Sequence, residues 1–145
     1  MAFKFRLQKV LEFREREEDE AKRRFLDRRS QSVQAQARID SIRTKSRETA
    51  DAAVFRVTDR LELEQRLWKL DDEARIALSA LSVLKDEEAA AELVWQDRRR
   101  ELEIMRKLRE RALADWTYSE NRREQGALDE WATLHRSPYM EARRA

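Results

Sequence analysis

The chain has 145 residues, 43% of them charged and 41% hydrophobic, with one Gly, one Pro and no Cys. That composition excludes a compact globule with a thick core, disulfides and thiolate metal sites, and leaves long uninterrupted helices as the main possibility. The 32 basic and 30 acidic groups nearly cancel to a net charge of +2, so the basic isoelectric point is a narrow surplus rather than the mark of a nucleic-acid binder. Charges of mixed sign, together with four Trp and five Phe to bury, argue against disorder. The opening Met1-Ala2-Phe3-Lys4-Phe5-Arg6 has no apolar run of a secretory signal, and no stretch approaches the ~20 apolar residues of a membrane span. A cytoplasmic protein is expected.

The first predicted element is a helix over about residues 3–55. Leu7, Leu11, Ala21, Phe25, Ala35, Ile39, Ile42 and Ala53 share one seam, which Arg14, Glu18, Arg28, Ser32, Ser46 and Thr49 interrupt. Burying a Leu or Phe is worth roughly 1.5–3 kcal/mol, so this seam holds only where several anchors act together, and local opening is expected near residues 28–32 and 46–50. At Val54-Phe55-Arg56-Val57-Thr58-Asp59 three β-branched residues crowd together and the repeat loses phase. Asp59 followed by Glu62 reads as a capping box, which puts a turn at about 56–59. One continuous helix that dimerises is the alternative, because neither Gly nor Pro marks the turn.

The second predicted element is a longer helix over about 59–136. From Leu67 to Trp116 a seven-residue repeat runs without a slip through Leu67, Ala74, Leu81, Glu88, Trp95, Leu102, Arg109 and Trp116, with the companion series Leu70, Ala77, Leu84, Ala91, Arg98, Met105 and Ala112. Twelve of these 15 positions are apolar. A repeat sustained at 3.5-residue spacing places a narrow apolar stripe against a partner helix and implies a left-handed supercoil. Pro138 ends the helix, since it has no N–H to donate and biases Ser137 away from helix, leaving 137–145 as a tail. The fold class expected is all-α, an elongated antiparallel two-helix coiled-coil hairpin with a longer C-terminal helix, forming a single domain over 1–145. The unequal arms leave roughly the last 22 helical residues unpaired on a rise of ~1.5 Å per residue. Trp116, Leu128, Trp131 and Leu134 lie on that overhang, an apolar stripe of the kind that marks a partner surface.

Charge is distributed unevenly. Residues 59–92 carry 10 acidic and 5 basic groups, whereas 1–30, 31–58 and 93–145 each carry a basic surplus of two or three. Pairs such as Glu12 with Arg16, Asp71 with Arg75 and Glu103 with Lys107 lie four apart and support a solvated helix by ~0.2–0.5 kcal/mol each.

Catalytic and cofactor chemistry is not expected. A single Gly cannot build a phosphate-cradling loop or a dinucleotide fingerprint. His135 is the only His and lies at a helix end with no nucleophile or cleft beside it. Carboxylates along a solvated coil have no dry pocket in which their acidities could be driven apart. The basic clusters Lys22-Arg23-Arg24, Arg28-Arg29 and Arg98-Arg99-Arg100 are flanked by Asp19, Glu20, Asp27, Asp97 and Glu101, which would repel nucleic-acid phosphates. The seam is also too narrow for a helix lying on a membrane. Binding to other proteins is the remaining function class.

The two ends of the chain carry a family resemblance. The opening Phe5-Arg6-Leu7-Gln8-Lys9-Val10-Leu11-Glu12-Phe13-Arg14, followed by Glu17-Glu18-Asp19-Glu20-Ala21, resembles the head of the FliJ family, in which an aromatic, a Leu, an apolar pair and an Arg precede an acidic run and Ala. Leu108-Arg109-Glu110-Arg111, Glu120-Asn121-Arg122-Arg123-Glu124-Gln125 and Leu128-Asp129-Glu130 are similar to its tail. The resemblance covers nearly the whole chain and implies a component of the flagellar type III export apparatus at the cytoplasmic face of the inner membrane. It further implies a stalk-like hairpin whose ends enter the ring of the export ATPase FliI and promote its assembly, and which also meets the export gate protein FlhA and the export chaperones. On that footing Phe3, Phe5, Leu7, Trp116, Arg122, Arg123, Leu128 and Trp131 are expected to touch the ATPase, and Leu63, Leu67 and Trp68 the gate. The protein alone is expected to be monomeric. The stalk of a virulence injectisome and a structural homodimeric scaffold are the alternatives.

Overall fold

The computed structural model describes residues 1–52 and 56–136. Two helices account for most of them, α1 over Gln8–Ala50 and α2 over Val57–Leu134. The fold class is all-α, a two-helix coiled-coil hairpin whose C-terminal helix is the longer. Two compact units are distinguished. Unit 1 takes in Met1–Arg14 and Glu101–Ala145, and unit 2 takes in Glu15–Arg100.

In unit 2 the helices pair antiparallel. Glu17 faces Arg98 at 3.7 Å and Arg28 faces Glu87 at 2.8 Å, so eleven residues forward along α1 correspond to eleven backward along α2. Between the two helices of this pairing Ala21, Phe25, Ile39, Ile42 and Leu81 are buried. All the seam positions of α2 from Leu67 to Arg98 are at least partly covered, which is the seven-residue stripe expected of the sequence. The polar interruptions of the α1 seam are accommodated in two ways. Arg28 swings out to Glu87, and Ser32 stays inside with its hydroxyl unpartnered. Trp95 stacks on Phe25 at 5.3 Å with an interplanar angle of 17°, and its indole Nε1–H donates to Glu18 Oε1 at 2.9 Å. The buried face of the ring thus meets an apolar partner while its polar edge finds a carboxylate.

In unit 1 Leu11 and Leu102 form the buried centre, and Arg14 donates across the pair to Glu101 at 2.7 Å. The first seven residues are not helical. The amide of Leu11 is satisfied by the carbonyl of Leu7 and that of Gln8 by Phe5.

Several boundaries differ from those expected. α1 starts at Gln8 rather than 3, and Phe3 in the non-helical segment before it lies against Trp116 and Arg109 of α2. It ends at Ala50 rather than 55. Thr49 bonds its own hydroxyl to the carbonyl of Lys45 at 2.7 Å, and Ala52 N–H reaches back only three residues, to Thr49. Such back-bonding and tightening accompany helix ends. The expected turn at 56–59 falls too late in the chain, since Val57, Thr58 and Asp59 already belong to α2 and α1 has ended at Ala50. Asp59 is therefore not the cap. It sits in the first turn, where its negative charge complements the helix N-terminus. α2 ends at Leu134 rather than 136, with His135 N–H closing onto Trp131 at 3.0 Å. Ala53, Val54, Phe55 and the tail 137–145 with its Pro138 lie outside the described residues.

Ile39 has no solvent exposure, so Ile39→Ala should destabilise unit 2 by about 2–4 kcal/mol in urea unfolding followed by circular dichroism. Ser32→Ala should be neutral or stabilising, because it removes a buried hydroxyl that has no partner. A loss of stability as large as that of Ile39→Ala would contradict this account of the seam.

Candidate partner-binding site

The sequence-predicted contacts fall into both units. Phe3, Phe5, Leu7, Trp116, Arg122, Arg123, Leu128 and Trp131 belong to unit 1, and Leu63, Leu67 and Trp68 to unit 2.

In unit 1 the aromatic residues of the chain start and of α2 come together. Phe3 tilts against Trp116 at 5.9 Å and 55°, the common offset geometry for aromatic pairs. On the other side of Phe3 the Arg109 guanidinium lies 6.0 Å from the ring centre, at the outer range of a cation–π contact. Phe3, Phe5, Gln8, Lys4 and Arg109 line a shallow depression there. Trp116 was expected on an unpaired overhang. It is instead half covered, because non-helical chain advances ~3.3–3.6 Å per residue against 1.5 Å in a helix, and the first residues reach further along α2 than a helix would. Arg109, a member of the seven-residue repeat, is exposed for the same reason: the seam at its level is taken by Phe3.

The uncovered end of α2 thus begins later than expected. Every residue from 121 to 136 is exposed. Leu128, Trp131 and Leu134 carry its apolar stripe, with Trp131 61% and Leu134 83% exposed. The Trp131 ring stacks on His135 at 4.5 Å, and His135 Nδ1 lies 2.9 Å from the Trp131 carbonyl oxygen, so the last turn is held by its own side chains. Arg122 is exposed, and Arg123 forms an ion pair with Glu120 at 3.1 Å along the same helix.

In unit 2 Leu63 and Leu67 are partly covered within the helix pair, whereas Trp68 points outward and is among the most exposed large side chains. Trp68 borders a depression with Ser46, Leu67, Asp71, Asp72 and Arg75. Of the three, only Trp68 offers a broad apolar face.

Some candidates escaped a reading based on one seam. Val10, Phe13, Ile104 and Leu108 are exposed apolar residues of unit 1. Val10 and Phe13 lie three apart on α1, Ile104 and Leu108 four apart on α2, the spacing that puts each pair on a single face. A second stripe displaced from the main seam is the signal that would have found them.

The Phe3–Trp116 contact predicts that Trp116→Ala releases the chain start. Limited chymotrypsin digestion should then cut at Phe3 and Phe5 faster than in the unaltered protein. The melting transition of the helix pair should change little, since Leu11 and Leu102 remain buried.

The family model described as Flagellar FliJ protein matches residues 3–137 of the chain. No curated protein and no solved structure matches it.

Proposed function

The chain belongs to the FliJ family, and from that premise we propose that it acts as the stalk of the flagellar export ATPase, binding the FliI-like ring through its chain ends, promoting ring assembly and linking it to the FlhA-like gate and to export chaperones. As a FliJ-family protein it is a component of the flagellar type III export apparatus, with a structural role there. No helix among the described residues is long and apolar enough to cross a membrane. Its place at the cytoplasmic face of the inner membrane would accordingly come from docking on the apparatus.

One observation carries the proposal: the exposed end of α2, from residue 121 to Leu134, presents Leu128, Trp131 and Leu134 with no cover among the described residues. Apolar stripes of this kind on a polar helix mark interaction surfaces. Arg122 and Arg123 beside them supply charge for orientation, and aromatic and Arg side chains are the types that dominate binding energy at interfaces. Phe3, Phe5, Leu7 and Trp116 form the neighbouring part of the same unit and complete the ATPase contact. Trp68, with Leu63 and Leu67, is the contact proposed for the gate. The flagellar family match favours this reading over an injectisome stalk.

The test is to add the protein to the purified export ATPase of the same organism and to assay ATP hydrolysis and ring formation. Stimulation of both is expected. Leu128→Ala with Trp131→Ala should weaken binding by about thirtyfold or more, as truncating two interface anchors does, with helicity unchanged. Absence of any binding by the unaltered chain would overturn the proposal. A chain that proves dimeric by light scattering and leaves the ATPase unaffected would instead support the homodimeric scaffold.

A further inference from the structure

Gly126 is the only glycine of the chain, and it stands near the end of α2. Glycine is the default residue where a tight turn, a left-handed backbone or a close approach demands it. Nothing within this chain makes such a demand. Gly126 lies inside a helix, its φ is not positive, and a Cβ added to it would meet nothing within 4 Å. It also lies off the apolar stripe. At 3.6 residues per turn the centre of Leu128, Trp131 and Leu134 is about 140° around the helix from Gly126. The glycine therefore does not clear space for whatever covers that stripe.

What Gly126 supplies is a weak point, and its surroundings do not offset it. A glycine in a helix interior lowers the helix population about fivefold relative to alanine. Residues 121–136 are all exposed, so no packing supports the backbone there, and an unpacked helix shorter than ~12–15 residues is marginal in water. Among the described residues no side-chain hydrogen bond or ion pair joins α2 before Gly126 to α2 after it. Arg123 pairs backward with Glu120 at 3.1 Å, whereas Thr133 bonds to the Asp129 carbonyl and His135 stacks on Trp131. Upstream, Thr117 and Ser119 donate their hydroxyls to the carbonyls of Leu113 and Asp115 at 2.8 and 2.9 Å, a pattern that weakens and bends helices. Downstream, the last turn has no basic residue to complement the helix dipole.

We infer that Gly126 is a break point built into α2. In the free chain the helix exchanges between a straight form and bent forms in which the hydrogen bonds spanning Gly126 are open. The Trp131–His135 stack keeps the last turn together as it swings, so Leu128, Trp131 and Leu134 move as one stripe and reach orientations that a rigid rod would forbid. Local opening of this kind occurs where buried contacts are few and backbone hydrogen bonds are exposed to solvent. The inference concerns the free chain and is independent of which protein covers the stripe. Ordinary fraying differs from it in where the helix opens: fraying begins at Leu134 and works inward, whereas a break point opens in the middle and leaves the last turn closed.

Two measurements on the full chain test this. The first is residue-resolved amide hydrogen exchange by nuclear magnetic resonance. The amides of residues 127–130, whose i to i−4 bonds span Gly126, should exchange faster than those of 131–134, and Gly126→Ala should slow them about fivefold. The second uses the absence of Cys, which lets Arg111→Cys and Ala132→Cys carry a unique pair of nitroxide labels. At 1.5 Å per residue these positions are about 32 Å apart on a straight helix. Double electron–electron resonance should show that distance together with a shorter component, and Gly126→Ala in the same background should reduce the shorter component about fivefold. Exchange that rises smoothly toward Leu134 and ignores Gly126→Ala overturns the break point in favour of fraying. A single distance, the same with Gly126 and with Gly126→Ala, overturns it in favour of a rigid end. Neither outcome bears on binding to the export ATPase, and failure to bind the ATPase leaves the break point standing.

Discussion

The seven-residue spacing of apolar side chains along α2 is the constraint on which the rest of the structure depends. A helix whose apolar residues recur every 3.5 positions can bury them only against another helix, along a narrow line, so most of each helix surface stays in water. The composition follows from that geometry. With few buried apolar residues, Ile39, Leu81 and Leu102 among them, much of the apolar contact is shared by half-covered side chains such as Leu67, Leu84 and Met105. At roughly 25 cal/mol per Å² of apolar surface buried, such a seam is stabilised by length rather than by depth.

A regular seam carries a weakness, because a repeat that looks the same every seven residues can slip by a heptad. Polar groups crossing the pair discriminate between the registers. Trp95 stacks on Phe25 and donates to Glu18, and Arg28 meets Glu87. In unit 1 Arg14 meets Glu101. These ion pairs are partly exposed and are worth at most about a kcal/mol each, so their contribution is to select one alignment. Ser32 shows the opposite case. It is buried without a partner and helps neither stability nor alignment.

Unequal helices on a seam of this kind leave a remainder. α2 continues past the residues that the chain start can cover, and its last turns carry Leu128, Trp131 and Leu134 into solvent. Just before them, the chain start folds Phe3 onto Trp116 with Arg109 above it. Unit 1 thus combines a half-covered aromatic cluster with an uncovered apolar end.

The sequence by itself determined the all-α hairpin, the seam of α2 and the family, because heptad spacing is a local property written one residue after another and the family match spans residues 3–137. It also placed the uncovered Leu128–Trp131–Leu134 stripe, which needs only the difference in helix lengths. The tertiary structure alone decided the fate of Phe3, Trp116 and Arg109. Whether seven N-terminal residues continue a helix or leave it depends on the contact that Phe3 makes with a residue more than a hundred positions away, and no local pattern encodes that pairing. The turn is similar. Thr49 and Asp59 read as helix interior and cap, yet Thr49 lies in the last turn of α1, its hydroxyl donating to the Lys45 carbonyl, and Asp59 lies inside the first turn of α2.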